Sequence, residues 1–230
     1  MGADEVGLAK PSEVAGEVIV FDFDGTLVSR DSFFHFSVDY CMGRPARLLL
    51  VVALLPLALL LALRSWKTAG SALLWGMTVG ASSRNFALAL SSYARRTLPL
   101  HSNDAVFAEL ARHIQAGDRV VIATGSIPLL VSGLLSARNL GPLPIVGSRV
   151  RRSLGGLVVE THCFGRTKVH ELSRKLGILE WSTVYTDSFA DRSLLRRARD
   201  ITLVSPSGRT LRRTRRLIDP KTALRVLHPD

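Results

Sequence analysis

Apolar and polar positions along the chain fall into two patterns that alternate. Four short stretches are rich in β-branched or aromatic side chains and end at, or directly before, a polar residue, which predicts buried strands. They cover residues 17–22, 119–124, 183–186 and 201–204. Helical periodicity predicts helices over residues 103–116, 127–140, 167–177 and 191–199. This alternation is typical of a doubly wound α/β fold built on a parallel sheet.

One long segment does not follow the alternation. Residues 30–98 are rich in Ala and Leu and have a helical pattern. We therefore predict a helical cap inserted between the first and second strands, and a core formed by residues 1–29 and 99–230. Because ligands of doubly wound sheets bind at the carboxyl ends of the strands, the cap would cover the site.

The predicted cap contains an apolar run at residues 48–63, sixteen residues without a polar side chain. As a helix it would be about 24 Å long, which is less than the roughly 30 Å hydrocarbon core of a bilayer. Pro56 in its middle predicts a kink. The run is either a buried helix of a soluble cap or a segment lying in a membrane interface. Basic residues flank it on both sides: Arg44, Arg47, Arg64 and Lys67.

The polar strand ends limit how this run can meet a membrane. A single crossing would place Asp22 on one side and Lys168 on the other. If these residues form one site, the run must return as a hairpin, with residues 69–80 as the return segment, or never cross. We favour a kinked helical hairpin in one leaflet, with its basic flanks against anionic head groups.

The sharpest chemical signal directly follows the first predicted strand. Asp22 and Asp24 lie two residues apart, and Gly25 and Thr26 follow in a predicted tight turn. Asp22 can attack phosphorus, whereas Asp24 can protonate the leaving oxygen and later activate water. Amides of the turn can face a phosphate. Two carboxylates at this spacing also occur in calcium-binding loops and helix caps, so the pair alone leaves these alternatives open.

Residues 22–27 resemble motif I of the haloacid dehalogenase (HAD) superfamily, whose phosphatases use an aspartate nucleophile. The later motifs follow in the same order. Thr124 with Gly125 resembles the phosphate-binding motif II, Lys168 resembles the motif III lysine, and Asp187 resembles the first carboxylate of motif IV. The resemblance implies a Rossmann-like core with a class I cap.

The resemblance also implies a magnesium-dependent reaction through an aspartyl phosphate. Mg²⁺ would be held by Asp22, the Asp24 carbonyl and Asp187, and Lys168 would add a second positive charge beside the phosphate. Asp191 would hold a metal-bound water or orient Lys168. A dianionic phosphate needs such cations to approach several carboxylates.

Within the superfamily the chain resembles subfamily IB, and most of all the bacterial phosphatidylglycerophosphatase C family. The similar stretches are residues 48–63, 73–80, 124–126 and 185–188. The resemblance implies conversion of phosphatidylglycerophosphate to phosphatidylglycerol at the cytoplasmic face of the bacterial inner membrane, by a monotopic or hairpin-anchored enzyme. Its partners would be that membrane surface and an anionic phospholipid substrate. Thr186 departs from the Gly that often precedes the motif IV aspartate.

Phosphoserine phosphatase is the alternative within the same superfamily. Asp31 stands nine residues after Asp22, where that family binds the substrate amine with an acidic residue. Asp31 could equally cap a helix that begins near Ser32. For a lipid substrate, Arg30, Arg44 or Arg47 could instead contact the inner phosphate.

Composition adds a third hypothesis from another class. The net charge is +11, and much of the excess lies in residues 192–199 and 209–216, which would suit a nucleic-acid-binding module. The set of aspartates argues against that as the main function, so we expect no nucleic-acid partner and see no sign of an obligate protein partner. Cys41 and Cys163 are too few for a disulfide framework and favour reduced thiols in the cytosol. Residues 1–16 lack the apolar core of a secretory signal.

Overall fold

The computed structural model describes residues 16–228, so the expectation about a secretory signal lies almost entirely outside the described residues. A six-stranded parallel sheet forms the centre of the molecule. Its strands are β1 (Val18–Phe21), β2 (Arg119–Ala123), β3 (Ile145–Val146), β6 (Trp181–Thr186), β7 (Ala198–Val204) and β8 (Ala223–Leu227). Their order is β3-β2-β1-β6-β7-β8. The predicted parallel α/β fold is confirmed.

Helices cover both faces of the sheet because side chains alternate along the strands. Ile19 and Phe21 pack on one face and Val20 on the other. The first face is covered by α5 (Asp104–Gln115) and α6 (Pro128–Ala137). The second is covered by α7 (Arg166–Leu176), α8 (Arg192–Leu195) and α9 (Gly208–Leu217).

The sequence pattern missed or misassigned several elements of the core. The helix predicted over 191–199 is wrong in its second half, because Ala198 already pairs with Trp181 as β7 begins. The two edge strands β3 and β8 were not predicted. Neither was the antiparallel hairpin of β4 (Arg149–Ser153) and β5 (Gly156–Thr161).

The insertion between β1 and β2 is helical, as its pattern predicts. It consists of α1 (Ser32–Met42), α2 (Pro45–Arg64), α3 (Trp66–Thr78) and α4 (Ser83–Arg96), followed by a 3₁₀ turn at Leu98–His101. The β4–β5 hairpin packs against α3, where the Leu157 N–H donates to Thr78 Oγ1 at 2.8 Å. The wall around the site therefore includes the hairpin as well as the helices.

The apolar run lies within α2, which is longer than the run itself. Twenty residues make this helix about 30 Å long, and it continues through Pro56. Its inner face packs on α3, where Gly76 leaves room for Leu54; a Cβ at Gly76 would lie 2.6 Å from Leu54 Cδ1. Ala58 is its one buried residue. The exposed outer face is apolar and includes Leu49, Val52, Leu55, Leu57, Leu59, Leu60 and Leu63.

Among residues 16–228, α2 is the one helix whose length and composition would allow it to cross a membrane. The helix nevertheless packs on α3 through its inner face, and α3 buries Leu74 and Met77 against the rest of the protein. The α2–α3 pair is thus a helical hairpin of which α2 forms the outer, solvent-exposed layer.

Candidate active site

Asp22 directly follows β1, the strand that lies between β2 and β6 where the strand order reverses. Its backbone N–H donates to the Tyr185 carbonyl oxygen at 2.9 Å, which continues the pairing of β1 with β6. Asp22 is 6% exposed. Its Oδ1 accepts hydrogen bonds from the Phe23 N–H at 2.8 Å and from Lys168 Nζ at 2.7 Å. No donor from the described residues meets Oδ2, so this oxygen is free to meet a substrate.

Lys168 connects two buried carboxylates. It lies in the first turn of α7, and its Nζ is 2.7 Å from Asp22 Oδ1 and 2.9 Å from the Asp191 carboxylate. Burial would lower the pKa of this ammonium group, but the two carboxylates outweigh burial and raise the pKa. Lys168 therefore stays protonated and provides a fixed positive charge.

Asp191 lines the cavity and holds Lys168 in place. Its side chain is buried, and its Oδ2 accepts a hydrogen bond from Thr186 Oγ1 at 2.9 Å. Of the two roles considered from the sequence, the contact with Lys168 is the one that the geometry displays. Thr186 stands where a Gly is more usual, and its hydroxyl group orients the Asp191 carboxylate.

Asp24 lies beyond the end of β1 and is tied to the start of α1. Its Oδ1 accepts a hydrogen bond from the Ser32 N–H at 2.7 Å. Burial raises the pKa of Asp24, and the Ser32 hydrogen bonds only partly offset this. A carboxyl group with a raised pKa suits a general acid that must carry a proton at near-neutral pH.

Asp187 lies against the loop that contains the two aspartates. A Cβ added to Gly25 would be 2.4 Å from Asp187 Oδ2, and Gly25 has a φ of +77°. Glycine is therefore required here both for the backbone and for the close approach of the carboxylate. Burial raises the pKa of Asp187 to about 6.

In the loop after β2, the hydroxyl group at the cavity wall is that of Ser126 and not that of Thr124. Thr124 is fully buried, and its Oγ1 accepts a hydrogen bond from the Ser126 N–H at 2.9 Å. Gly125 and Ser126 line the cavity, whereas Thr124 does not. Since a hydroxyl that accepts a hydrogen bond keeps its own proton, Thr124 can still donate. Its phosphate-binding role stays a prediction, and Ser126 is the hydroxyl that lies at the cavity wall.

The residues suggested for substrate binding divide into two groups. Asp31 lines the cavity and also caps α1, because it accepts a hydrogen bond from the Phe34 N–H at 2.8 Å. Arg30 is exposed and does not line the cavity. Arg44 stacks on Tyr40, and Arg47 donates to backbone carbonyls of α3 and the following turn. Neither arginine lines the cavity, so their suggested contact with the inner phosphate of a lipid substrate stays a prediction.

The catalytic cavity has a volume of about 440 Å³ at the carboxyl ends of the strands. All sequence-predicted site residues line it except Thr124 and Arg30. Sequence reasoning missed six further lining residues: Phe33, Ser126, His162, Phe164, Ser188 and Ala190. Ser126, Ser188 and Ala190 directly adjoin predicted residues, whereas the position of His162 depends on the hairpin.

A second, more apolar pocket of about 160 Å³ adjoins the catalytic cavity and shares Phe33, Gly125 and His162 with it. Its far wall comes from α3 and the hairpin: Trp66, Lys67, Gly70, Leu74, Val150 and Val159. The Leu154–Gly155 turn of the hairpin has positive φ at both residues, followed by Gly156. A pair of glycines between two β-branched stretches is the sequence signal that could have predicted this wall.

The donor set of the cavity fits a hard divalent cation. Five carboxylates line the cavity with one ammonium group, that of Lys168. The pKa values of Asp22, Asp24 and Asp187 are all raised, mainly by burial, and a bound cation would favour the charged form of each. Oxygen ligands suit Mg²⁺. Within residues 16–228 no three His, Cys, Asp or Glu side chains cluster tightly enough to ligate a metal alone, so the Asp24 carbonyl or water would have to contribute.

Solved structures with the same fold span nearly the whole chain. A protein of unknown function from Bordetella pertussis Tohama I has a TM-score of 0.69 at 18% identity, covering 93% of this chain and 98% of its own. A phosphoserine phosphohydrolase-like protein from Francisella tularensis subsp. tularensis SCHU S4 has a TM-score of 0.58 at 14% identity, covering 92% and 94%. Phosphoserine phosphatase from T. onnurineus has a TM-score of 0.54 at 16% identity, covering 97% and 94%.

The family model of haloacid dehalogenase-like hydrolases matches residues 19–196, which contain every element that carries the catalytic cavity. The four motifs inferred from the sequence all fall inside this range, and the structure brings their residues to one edge of the sheet. The chain therefore belongs to the haloacid dehalogenase-like hydrolase family.

Proposed function

We propose that this hydrolase is a magnesium-dependent phosphatase that hydrolyses a phosphomonoester through a phosphorylated Asp22. The observation that carries the proposal is the buried pair of Asp22 and Lys168 at the switch point of the sheet, 2.7 Å apart. A carboxylate held by a permanent cation at a cavity wall is suited to attack an anionic phosphate, because the cation offsets the charge repulsion.

The reaction divides into two displacements at phosphorus. Asp22 Oδ2 forms a bond to phosphorus while the ester oxygen leaves, and Asp24 donates its proton to that oxygen. Asp24 then takes a proton from water, the water oxygen bonds to phosphorus, and the Asp22 carboxylate is released with inorganic phosphate. Lys168 holds Asp22 throughout, and Asp191 holds Lys168.

Asp22, Asp187 and the Asp24 carbonyl would hold the magnesium ion. When bound, Mg²⁺ supplies positive charge that offsets the phosphate and the surrounding carboxylates. The amides at Gly125 and the hydroxyl of Ser126 lie at the cavity wall, where they can bind phosphate oxygens.

For the substrate we propose a phosphomonoester carried by a membrane lipid, with phosphatidylglycerophosphate as the expected compound. The outer face of α2 supports this, because contiguous exposed apolar surface of this extent is uncommon on soluble monomers and marks contact with a membrane or another protein. Since α2 packs on α3 along its inner face, it would lie flat in the interface at the cytoplasmic surface of the membrane rather than cross it.

The second pocket supports a leaving group that extends from the phosphate towards α3. It leads away from the catalytic cavity between Phe33 and His162, and Trp66 at its edge is 78% exposed beside the end of α2. Lys67 also lines it and can bind an anionic group of the substrate. The pocket thus connects the reacting phosphate with the apolar surface on which a lipid would lie.

A small phosphomonoester such as phosphoserine is the second candidate, and the structural comparisons favour it over the lipid. Several solved structures with this fold are phosphoserine phosphatases. Asp31 lines the catalytic cavity, where its carboxylate could bind a substrate amine. The pocket volume and Lys67 suit the carboxylate of such a substrate as well as they suit a lipid.

One comparison of substrates tests the proposal. The purified protein with Mg²⁺ is given phosphatidylglycerophosphate in vesicles and L-phosphoserine in solution, and kcat/KM is measured for each. We expect hydrolysis of both to require Mg²⁺ and Asp22, with the lipid preferred. A preference for phosphoserine would replace the lipid proposal by the second candidate. Undiminished turnover by the Asp22→Asn variant would refute the phosphatase mechanism itself.

A further inference from the structure

We propose that α1 forms a second lipid-contacting strip beside α2, so that the entrance of the catalytic cavity lies against the head groups of an anionic membrane. This inference rests on the membrane-associated function proposed above. It adds how the active site is oriented towards the membrane, and it names lipid-contacting residues outside the apolar run.

One face of α1 exposes three large apolar side chains. Phe34 is 60% exposed, Val38 45% and Met42 66%. Because they are spaced by four residues, they lie on the same side of the helix. The opposite side is buried, and Phe36 packs there against the ring of Phe86 from α4. The exposed strip is therefore not a part of the protein core.

The strip begins at the catalytic cavity. The first turn of α1 is fixed to the site, because the Ser32 N–H donates to Asp24 Oδ1 at 2.7 Å and Ser32 Oγ lies 2.8 Å from Ser126 Oγ. Phe33 lines both pockets, and Phe34 follows it on the outside. The strip then extends about 12 Å along the helix to Met42. Only two residues separate α1 from α2, so Met42 at the end of the strip lies near the start of α2.

The charges that border this surface favour a bilayer as its occupant. Arg44 and Arg64 lie at the two ends of α2 and Lys67 in the first turn of α3, and none of them forms an ion pair with an acidic residue of the described chain. Basic residues around an apolar face bind anionic head groups. Trp66, which is largely exposed, is the residue type enriched at membrane interfaces.

The acidic residues of α1 do not interrupt the strip. Asp31 accepts the capping hydrogen bond from the Phe34 N–H. Asp39 is exposed and lies about 100° around the helix from Val38 and about 60° from Met42, so it borders the strip. The strip itself therefore presents only apolar side chains, which suits the boundary between head groups and acyl chains.

Site-specific fluorescence tests the inference directly. An environment-sensitive dye is attached to single cysteines introduced as Phe34→Cys, Val38→Cys or Met42→Cys, since the native Cys41 and Cys163 are buried. Leu60→Cys on the outer face of α2 reports on membrane binding itself. Leu179→Cys is the matched control, because Leu179 is 58% exposed but precedes β6, at the edge of the sheet opposite the site.

We expect vesicles of phosphatidylglycerol and phosphatidylcholine to shift the dye emission to the blue at positions 34, 38, 42 and 60, but not at 179. A shift at position 60 alone would overturn the α1 inference and leave the membrane-associated function intact. No shift at any position would overturn both. A blue shift that grows with protein concentration without vesicles would show that a second protein copy covers the strip, and would also overturn the inference.

A variant with Phe34→Ser, Val38→Ser and Met42→Ser provides a second measurement. We expect its turnover of a vesicle-borne phosphomonoester to fall at least about tenfold, because three apolar side chains no longer enter the interface. Turnover of p-nitrophenyl phosphate in solution should stay unchanged, since these exposed residues touch no catalytic group. Equal loss with both substrates would show a structural role for the strip and contradict the inference.

Discussion

The catalytic cavity buries charged side chains, whereas the outer face of α2 exposes apolar side chains. In the cavity, charged groups are buried and held by one another, as in the chain of contacts from Asp22 through Lys168 to Asp191. On α2, large apolar side chains are exposed and have no partner within residues 16–228; Leu63, for example, is 87% exposed. Contacts within the protein hold the catalytic side chains of the first region in place, whereas the second region calls for a surface that the protein itself does not provide.

The buried polar region and the exposed apolar region therefore give different information about function. Buried polar groups must be paired, so their geometry reports the chemistry they can perform. An exposed apolar face reports only that contact with something apolar would be favourable. The reaction type is therefore argued from the cavity, and the location of the substrate from α2.

The largest expected effect comes from Asp22→Asn, which removes the nucleophile and leaves the shape of the side chain. We expect kcat to fall by at least about 10⁴-fold, as for the loss of other catalytic nucleophiles. Circular dichroism should show an unchanged fold. Asp39→Asn, on the exposed side of α1, is the control and should retain full activity. An Asp22→Asn protein with wild-type activity would show that Asp22 is not the nucleophile.

Lys168→Met should reduce both activity and stability. It leaves Asp22 and Asp191 buried without their shared cation, so the free energy of unfolding should fall by about 3–5 kcal/mol. The rate should fall by about 10²–10³-fold because a charge beside the phosphate is lost. Lys175→Met on the same helix, whose amine is 3.8 Å from Glu171, is the control. Unchanged stability in urea unfolding would show that the contacts in the cavity are not coupled as described.

Gly25→Ala should disturb Asp187 without removing a charged group. The added Cβ would collide with the Asp187 carboxylate, and the positive φ of Gly25 disfavours alanine. We expect about a 10–100-fold loss in kcat/KM, the usual consequence of displacing a catalytic group by about 1 Å. Gly43→Ala, where a Cβ meets only the Asp39 carbonyl at 3.9 Å, should have no effect. Equal activities of the two variants would contradict the proposed role of Asp187.

Substitutions on the two faces of α2 are expected to have the smallest effects. They compare the exposed outer face with the inner face that packs on α3. Leu59→Asp with Leu63→Asp should weaken vesicle binding at least about tenfold, because two exposed apolar side chains are replaced by acids. Its free energy of unfolding should change by less than about 0.5 kcal/mol per site. Leu54→Ala, which loses the contact with Gly76, should instead cost about 2 kcal/mol of stability and leave vesicle binding intact. The reverse result would mean that the outer face belongs to the protein core.

The sequence predicted the site better than it predicted the walls around it. Asp22 was proposed because it directly follows a predicted strand, and Lys168 and Asp187 because they resemble later motifs of the haloacid dehalogenase superfamily in the same order. The fold class followed from the same alternation. These features depend on local pattern and chain order, which are visible in the sequence.

The missed parts depend on contacts between distant segments. Ala198 is in a strand because it pairs with Trp181, although its neighbours in the sequence suit a helix. His162 reaches the cavity because the β4–β5 hairpin packs on α3. Arg47 was suggested as a phosphate contact, but it is committed to the backbone of α3 and the turn after it. No local pattern distinguishes an arginine that binds a carbonyl from one that binds a substrate.

Trapping the phosphorylated intermediate tests the central claim most directly. The Asp24→Asn variant is mixed with Mg²⁺ and p-nitrophenyl phosphate, whose good leaving group needs no protonation, and the reaction is stopped with acid after one turnover. Because Asp24 is also required to activate water, the intermediate should accumulate, and mass spectrometry should find a phosphoryl group on Asp22. A phosphoryl group on another residue, or product formation with no phosphorylated protein at any time, would contradict the account.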